Sequence, residues 1–279
     1  MNQMTEENQP IIAAIQMASG PQVSANLIEA ERLLAEAADA GACLAVLPEN
    51  FAMLGRSDED RLTEAEEEGD GPLQTWLSNQ ARRHGMWIVG GTIPIKAGPD
   101  RVSGACLVYD DQGKRQARFD KMHLFDVTLP DGRERYRESD STLAGDSVVV
   151  IDSPVGRLGL AVCYDLRFPE LFRAMAEKGA EVFAVPSAFT VQTGRAHWEL
   201  LLRARAVENL AYVVAGAQGG FHVSGRETWG HSMIVDPWGT VVAQQPQGPG
   251  VVTAEIALER LHSIRESFPV LNHRREICS

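Results

Sequence analysis

A chain of 279 residues with 44% hydrophobic and 23% charged side chains can bury a sizeable core, which excludes global disorder. Its 26 basic and 38 acidic residues give a net charge of −12, a poor match to nucleic acid or to an anionic membrane surface. Cations that bind an anionic substrate must therefore be local.

Four cysteines (Cys43, Cys106, Cys163 and Cys278) lie far apart with no CxxC pair. That removes the usual zinc-ribbon and thioredoxin patterns and fits a reduced, cytoplasmic chain. Residues 1–10 are acidic and polar, unlike a signal peptide. No apolar run approaches the ~20 residues of a membrane span.

Ile11 to Met17 reads as a buried first strand, and Ser24 to Ala40 as a helix with Leu27, Ala30, Leu34 and Ala37 on one face. Cys43 to Leu47 is a second strand, ending in Pro48-Glu49. A carboxylate there is notable because strand ends carry function in α/β folds. Arg56 to Gly71, with Glu66-Glu67-Glu68, reads as a solvated, acidic loop. A helix over 73–84 and a strand over 86–92 follow. Asp110-Asp111-Gln112-Gly113 turns a hairpin between strands 104–109 and 114–119, and Lys121 comes directly after it.

The polar segment Asp131 to Asp140 holds Glu134 and Glu138. A second hairpin (147–151 and 157–162) climbs to Cys163, which stands at a strand end before a helix entered through Pro169. That helix spans 168–178. Strand 182–185 ends at Pro186-Ser187-Ala188-Phe189. A long helix covers 195–210, and one strand covers 212–217. Strands 232–236 and 240–243 flank Pro237-Trp238-Gly239. A last strand (251–256) and a helix (258–267) precede a polar tail. Helices alternating with strands, several of them in hairpins, predict one layered α/β domain over 1–279 with a mixed sheet. The first ~10 and last ~8 residues are peripheral to it.

No GxGxxG, P-loop, HExxH or GxSxG pattern is present, so neither a nucleotide cofactor nor a metal is expected. What remains is Glu49, Lys121 and Cys163, each at a strand end. If these ends converge, Glu49 takes the thiol proton, Lys121 balances negative charge, and Cys163 attacks a carbonyl or nitrile carbon. Spacing alone does not show convergence. A buried core thiol, a loop carboxylate and a surface lysine remain the ordinary alternatives. A Cys–His enzyme using His123 or His197 is a further one.

Three blocks resemble the signatures of the nitrilase, or carbon–nitrogen hydrolase, superfamily in the family's order. They are Leu47-Pro48-Glu49, Phe119 to Phe125 around Lys121, and Val162 to Glu170 around Cys163. The resemblance implies a four-layer αββα sandwich, usually a homodimer. It also implies Glu49 as general base, Lys121 as oxyanion stabiliser, Cys163 as nucleophile and the Tyr164 N–H as a second oxyanion donor. An auxiliary glutamate is implied as well, matched best by Glu138, with Glu134 as its competitor.

The segments 186–190, 196–209 and 230–239 resemble the deaminated-glutathione amidase branch. That implies hydrolysis of the amide bond of deaminated glutathione to 2-oxoglutarate and cysteinylglycine. The ω-amidase branch, acting on α-ketoglutaramate, is the alternative, and a catalytically silent interaction protein of the same fold is the non-enzymatic one. For the substrate's carboxylates the cations Arg167, Arg195, Arg203, Arg226 and His123 are candidates. Ser187, Phe189 and Thr190 are candidates for the pocket wall.

Overall fold

The computed structural model describes residues 9–56, 58–130, 132 and 134–275. Cys278 and the first eight residues lie outside that range.

The first half builds one sheet and its outer helices. Strand β1 (Ile11–Met17) leads into helix α1 (Val23–Asp39), strand β2 (Ala42–Val46), helix α2 (Asp58–Thr63) and helix α3 (Pro72–His84). Strands β3 (Trp87–Val89), β4 (Ile93–Lys96), β5 (Val102–Tyr109) and β6 (Arg115–Asp120) complete this half. Strand β1 shows why its sequence is apolar at every position but Gln16. Ala13, Ile15 and Met17 pack under α1 and α3, whereas Ile12 and Ala14 point into the space between the two sheets. A strand covered on both faces needs no polar alternation.

A short hairpin, β7 (Asp126–Thr128) with β8 (Arg135–Arg137), separates the halves. The second half then adds β9 (Val150–Ser153), β10 (Gly156–Leu160), α4 (Pro169–Glu177), β11 (Val182–Ala184), α5 (Val191–Asn209) and β12 (Tyr212–Ala215). Next come β13 (Ala217–Phe221), β14 (Glu227–Trp229), β15 (Ser232–Val235), β16 (Val241–Gln245), β17 (Gly250–Glu255) and α6 (Leu258–Ser267).

The first sheet runs β14-β13-β1-β2-β3-β5-β4, with β17 also on β1 and β6 on β5. The second runs β16-β15-β12-β11-β10-β9. Both mix parallel and antiparallel pairs. The sheets face each other between α1 and α3 on one side and α4 and α5 on the other, so the predicted αββα sandwich is observed.

Helix α2 and strands β4, β7, β8 and β14 were not expected from the sequence, and three further differences have a clear physical cause. The single strand expected over 212–217 is two. The chain leaves the second sheet at Gly216 and joins the first as β13. A Cβ at Gly216 would stand 2.4 Å from the Val46 carbonyl oxygen, so only glycine passes there. Helix α5 begins four residues before the expected Arg195, because Thr190 caps it by accepting the Thr193 N–H at 3.3 Å. Within the acidic stretch, Glu66 is buried rather than solvated. Its carboxylate accepts the Leu73 N–H at 2.5 Å and the Gln74 N–H at 3.2 Å, at the positive end of α3.

Candidate active site

Strands β2 and β3 are parallel, and β3 and β6 are each antiparallel to β5. The carboxyl ends of β2 and β6 therefore open on one side of the first sheet, and Glu49 and Lys121 follow these two strands. In the second sheet Cys163 follows β10, and Ala188 and Phe189 follow its parallel neighbour β11. The sheets are joined at this end, where Ser187 bridges to Ala217 and donates its N–H to the Gly216 carbonyl at 2.9 Å.

The convergence that spacing left open is visible here. Glu49, Lys121, Glu138 and Cys163 line one cavity of about 670 Å³. Lys121 is 2% exposed, and its Nζ donates to Glu49 Oε1 and to Glu138 Oε2, each at 2.8 Å. Glu138 also accepts the Phe125 N–H at 2.7 Å and stands 3.8 Å from an Arg61 nitrogen.

Burial works against the Lys121 charge, but Glu138, Glu49 and Cys163 outweigh it and hold the ammonium well above the usual lysine range. Burial likewise disfavours the Glu138 carboxylate, yet Lys121 and Arg61 bring its pKa below the ordinary glutamate value. The Cys163 thiol is pushed far up, by burial first and by the Glu49 carboxylate second, against the pull of Lys121. The resting site thus holds a neutral thiol beside an ion-paired ammonium. A thiolate has to be made by moving a proton, and the Glu49 carboxylate lines the same cavity as the thiol.

Backbone geometry presents both groups. Cys163 has φ 47° and Asn50, next to Glu49, has φ 56°, both in the left-handed region that side chains other than glycine avoid. The Cys163 N–H donates to the Pro186 carbonyl at 2.9 Å and the Asn50 N–H to Thr92 Oγ1 at 2.9 Å, so hydrogen bonds hold each strained turn.

The other predicted site residues separate into two groups. Tyr164, Arg167, Phe189 and Arg226 line the cavity. The Arg167 guanidinium lies 5.7 Å from the Tyr164 ring centre and 5.4 Å from that of Phe189, held between two aromatic faces. His123, Ser187 and Thr190 are placed elsewhere. The His123 ring stacks on Phe168 with centroids 3.6 Å apart, and its Nδ1 lies 2.7 Å from Asp165 Oδ1. Asp165 is fully buried and also accepts the His123 N–H at 2.8 Å and the Val162 N–H at 2.9 Å. It ties the segment that carries Lys121 to the one that carries Cys163.

Ser187 Oγ donates to the Val185 carbonyl, and Thr190 is spent on capping α5. Arg195 lies over Trp229, and Arg203 is bonded to the Gly239 carbonyl and Glu199, both away from the cavity. Glu134 is hydrogen-bonded to the Tyr136 hydroxyl, whereas Glu138 is on Lys121. His197 lies 3.3 Å from an Arg167 nitrogen and, like His123, is not part of the cavity wall.

Sequence reasoning missed Asn50, Arg61, Phe125, Arg135, Tyr136, Arg137 and Thr193, which complete the lining. Arg61 sat in a stretch read as solvated. Arg135 to Arg137 sat in a polar loop, although two arginines in three residues of an acidic chain were a usable sign of local positive charge. Among the described residues no cluster of His, Cys, Asp and Glu could hold a metal ion.

A four-layer sandwich whose sheet ends bring a thiol, a carboxylate and an ammonium into one cavity is the architecture of the nitrilase superfamily. The Carbon-nitrogen hydrolase family model matches residues 11–266, and the chain belongs to that family. It is 44% identical over 270 residues to the deaminated glutathione amidase of Yersinia enterocolitica, covering 96% of this chain and 94% of that one. It is 43% identical over 272 residues to the human protein of the same name, covering 95% and 82%. In structure it resembles the Caenorhabditis elegans NitFhit protein with a TM-score of 0.89 at 39% identity, over 96% of this chain and 65% of that longer one. The chain is a carbon–nitrogen hydrolase.

Proposed function

We propose that the chain is an amidase that hydrolyses deaminated glutathione to 2-oxoglutarate and cysteinylglycine through a thioester on Cys163. The observation that carries the mechanism is the buried Lys121 ammonium, held at 2.8 Å by both Glu49 and Glu138 in the cavity that contains the thiol. Glu49 accepts the Cys163 proton as the sulfur attacks the amide carbon. The oxygen that becomes negative is held by Lys121 Nζ and the Tyr164 N–H. Glu49 returns its proton to the amine, which departs as the C–N bond breaks. Glu49 then takes a proton from water, whose oxygen attacks the thioester, and the acid leaves as the thiol is restored. Glu138 acts through Lys121 by fixing its position and charge.

The substrate reading rests on the relatives' names and on the cationic wall. Arg61, Arg135, Arg137, Arg167 and Arg226 line the cavity of a chain whose net charge is −12. Arg167, clamped between two rings, pairs with a carboxylate of the substrate.

The same reading makes the enzyme a cytoplasmic homodimer. Widely spaced cysteines with no CxxC pair fit a reducing compartment. Leu200 and Val207 on α5, and Trp238 and Phe268, whose ring centres lie 5.8 Å apart, are 68%, 48%, 58% and 52% exposed and offer apolar surface to a second copy.

A side-by-side comparison of kcat/KM for deaminated glutathione, α-ketoglutaramate and a simple nitrile tests the substrate. A clear preference for α-ketoglutaramate overturns the substrate and leaves the mechanism. Full activity in Cys163→Ala overturns the mechanism.

A further inference from the structure

The catalytic cavity does not end at its own rim. A more open vestibule of about 1120 Å³ continues from it, sharing Arg61, Arg135, Tyr136 and Arg226 and adding Arg56 and Ser224. Four of its lining residues are arginines, and its only acid among the described residues is Glu134, which is hydrogen-bonded to Tyr136. Arg226 stands at the junction. Its Nη2 donates to the Ala188 carbonyl at 2.5 Å, its guanidinium lies 5.2 Å from the Tyr136 ring centre, and its Nε is buried without a partner among the described residues.

Acyl transfer orders the two spaces. The amine half must leave before water can attack the thioester, while the acyl half stays on the sulfur. The half that leaves first belongs on the side open to solvent. The vestibule is that side, and the enclosed cavity with Arg167 suits the acyl half. We propose that the vestibule is a leaving-group subsite in which Arg56 and Arg135 bind a carboxylate carried by the amine half of the substrate. In deaminated glutathione that carboxylate is the one at the glycine end of the cysteinylglycine half. This rests on the reading of Cys163 as nucleophile and of deaminated glutathione as substrate.

The test uses the whole enzyme and three substrates: deaminated glutathione, the same compound with its terminal carboxylate converted to an amide, and α-ketoglutaramate. Removing that carboxylate lowers kcat/KM of the wild-type enzyme by about five- to tenfold, mostly through KM. Arg56→Glu lowers kcat/KM on the acid by a similar factor, is indifferent to the amidated compound and leaves α-ketoglutaramate within twofold, while Arg56→Lys restores most of the loss. Equal turnover of the acid and its amide by the wild-type enzyme overturns the subsite alone. No turnover of either, with α-ketoglutaramate hydrolysed, overturns the substrate reading together with the subsite. A uniform loss on all three substrates in Arg56→Glu also overturns it.

Discussion

The floor and the mouth of this site are built on opposite principles. The floor comes from strand ends and the turns that follow them. Glu49, Lys121 and Cys163 are 5%, 2% and 7% exposed, and Lys121 is bonded to both carboxylates. The mouth comes from the hairpin β7–β8, the segment after Leu54 and the turn between β13 and β14, and its arginines stand nearer to solvent. A buried charge without its partner is costly, so the floor tolerates almost no change. Charges near water are screened and individually weak, so the mouth is free to vary with the substrate. On the proposed reading, the chemistry is thus fixed where solvent is excluded, and selectivity is tuned where it is not.

Substitutions sharpen this contrast in a graded series. Cys163→Ala removes the proposed nucleophile and lowers kcat by at least about ten-thousand-fold. Mass spectrometry under turnover then finds no acyl adduct, whereas the wild-type protein carries one on Cys163 with a slow ester.

Lys121→Met comes next. On the proposed mechanism it removes an oxyanion donor, worth about 10²–10³ in kcat, and it leaves Glu49 buried without its cation and Glu138 with only the more distant Arg61. A lowered melting temperature, equivalent to about 3–5 kcal/mol, accompanies the loss. A melting temperature unchanged in this variant would show that the floor is less tightly coupled than its geometry implies.

Glu49→Gln costs about 10²–10⁴ in kcat, because no group remains to move the proton. Its effect on the thiol has a definite sign. The Glu49 charge raises the Cys163 pKa and Lys121 lowers it. Thiolate absorbance in Glu49→Gln therefore appears at lower pH than in the wild-type protein, and in Lys121→Met at higher pH. Shifts of the same sign in both variants would break the assignment.

Arg167→Gln lies between floor and mouth. It raises KM for carboxylate-bearing amides about tenfold, with a smaller change in kcat. Changes at Arg56 in the mouth are the smallest of the series and depend on which substrate is offered.

The features legible in the sequence were those with a local cause. Apolar runs bounded by Gly, Pro and Asp placed most strands and helices, because burial and turn chemistry act within a few residues. Glu49, Lys121 and Cys163 each stood out as a reactive group directly after such a run. The strand break at Gly216 was not legible, since the obstacle is the Val46 carbonyl of another strand. Nor was the burial of Glu66, which depends on the far end of α3. His123 looked like a pocket residue from its place beside Lys121, but Asp165, forty-two positions away, holds it. Arg61 and Arg135 carried no local mark beyond their charge.

The sequence by itself determined the strand ends, the reactive residue types placed on them and the acidic balance that forces substrate cations to be local. Only the tertiary structure decided that the ends of two sheets meet, that one ammonium is shared by two carboxylates beside a neutral thiol, and which arginines face the cavity. The physical reason is range. Propensity and periodicity act over a few residues, whereas the pKa values and the charge of this site are set by groups more than a hundred positions apart in the chain, such as Glu49 and Cys163, brought together by the packing of one sheet on the other.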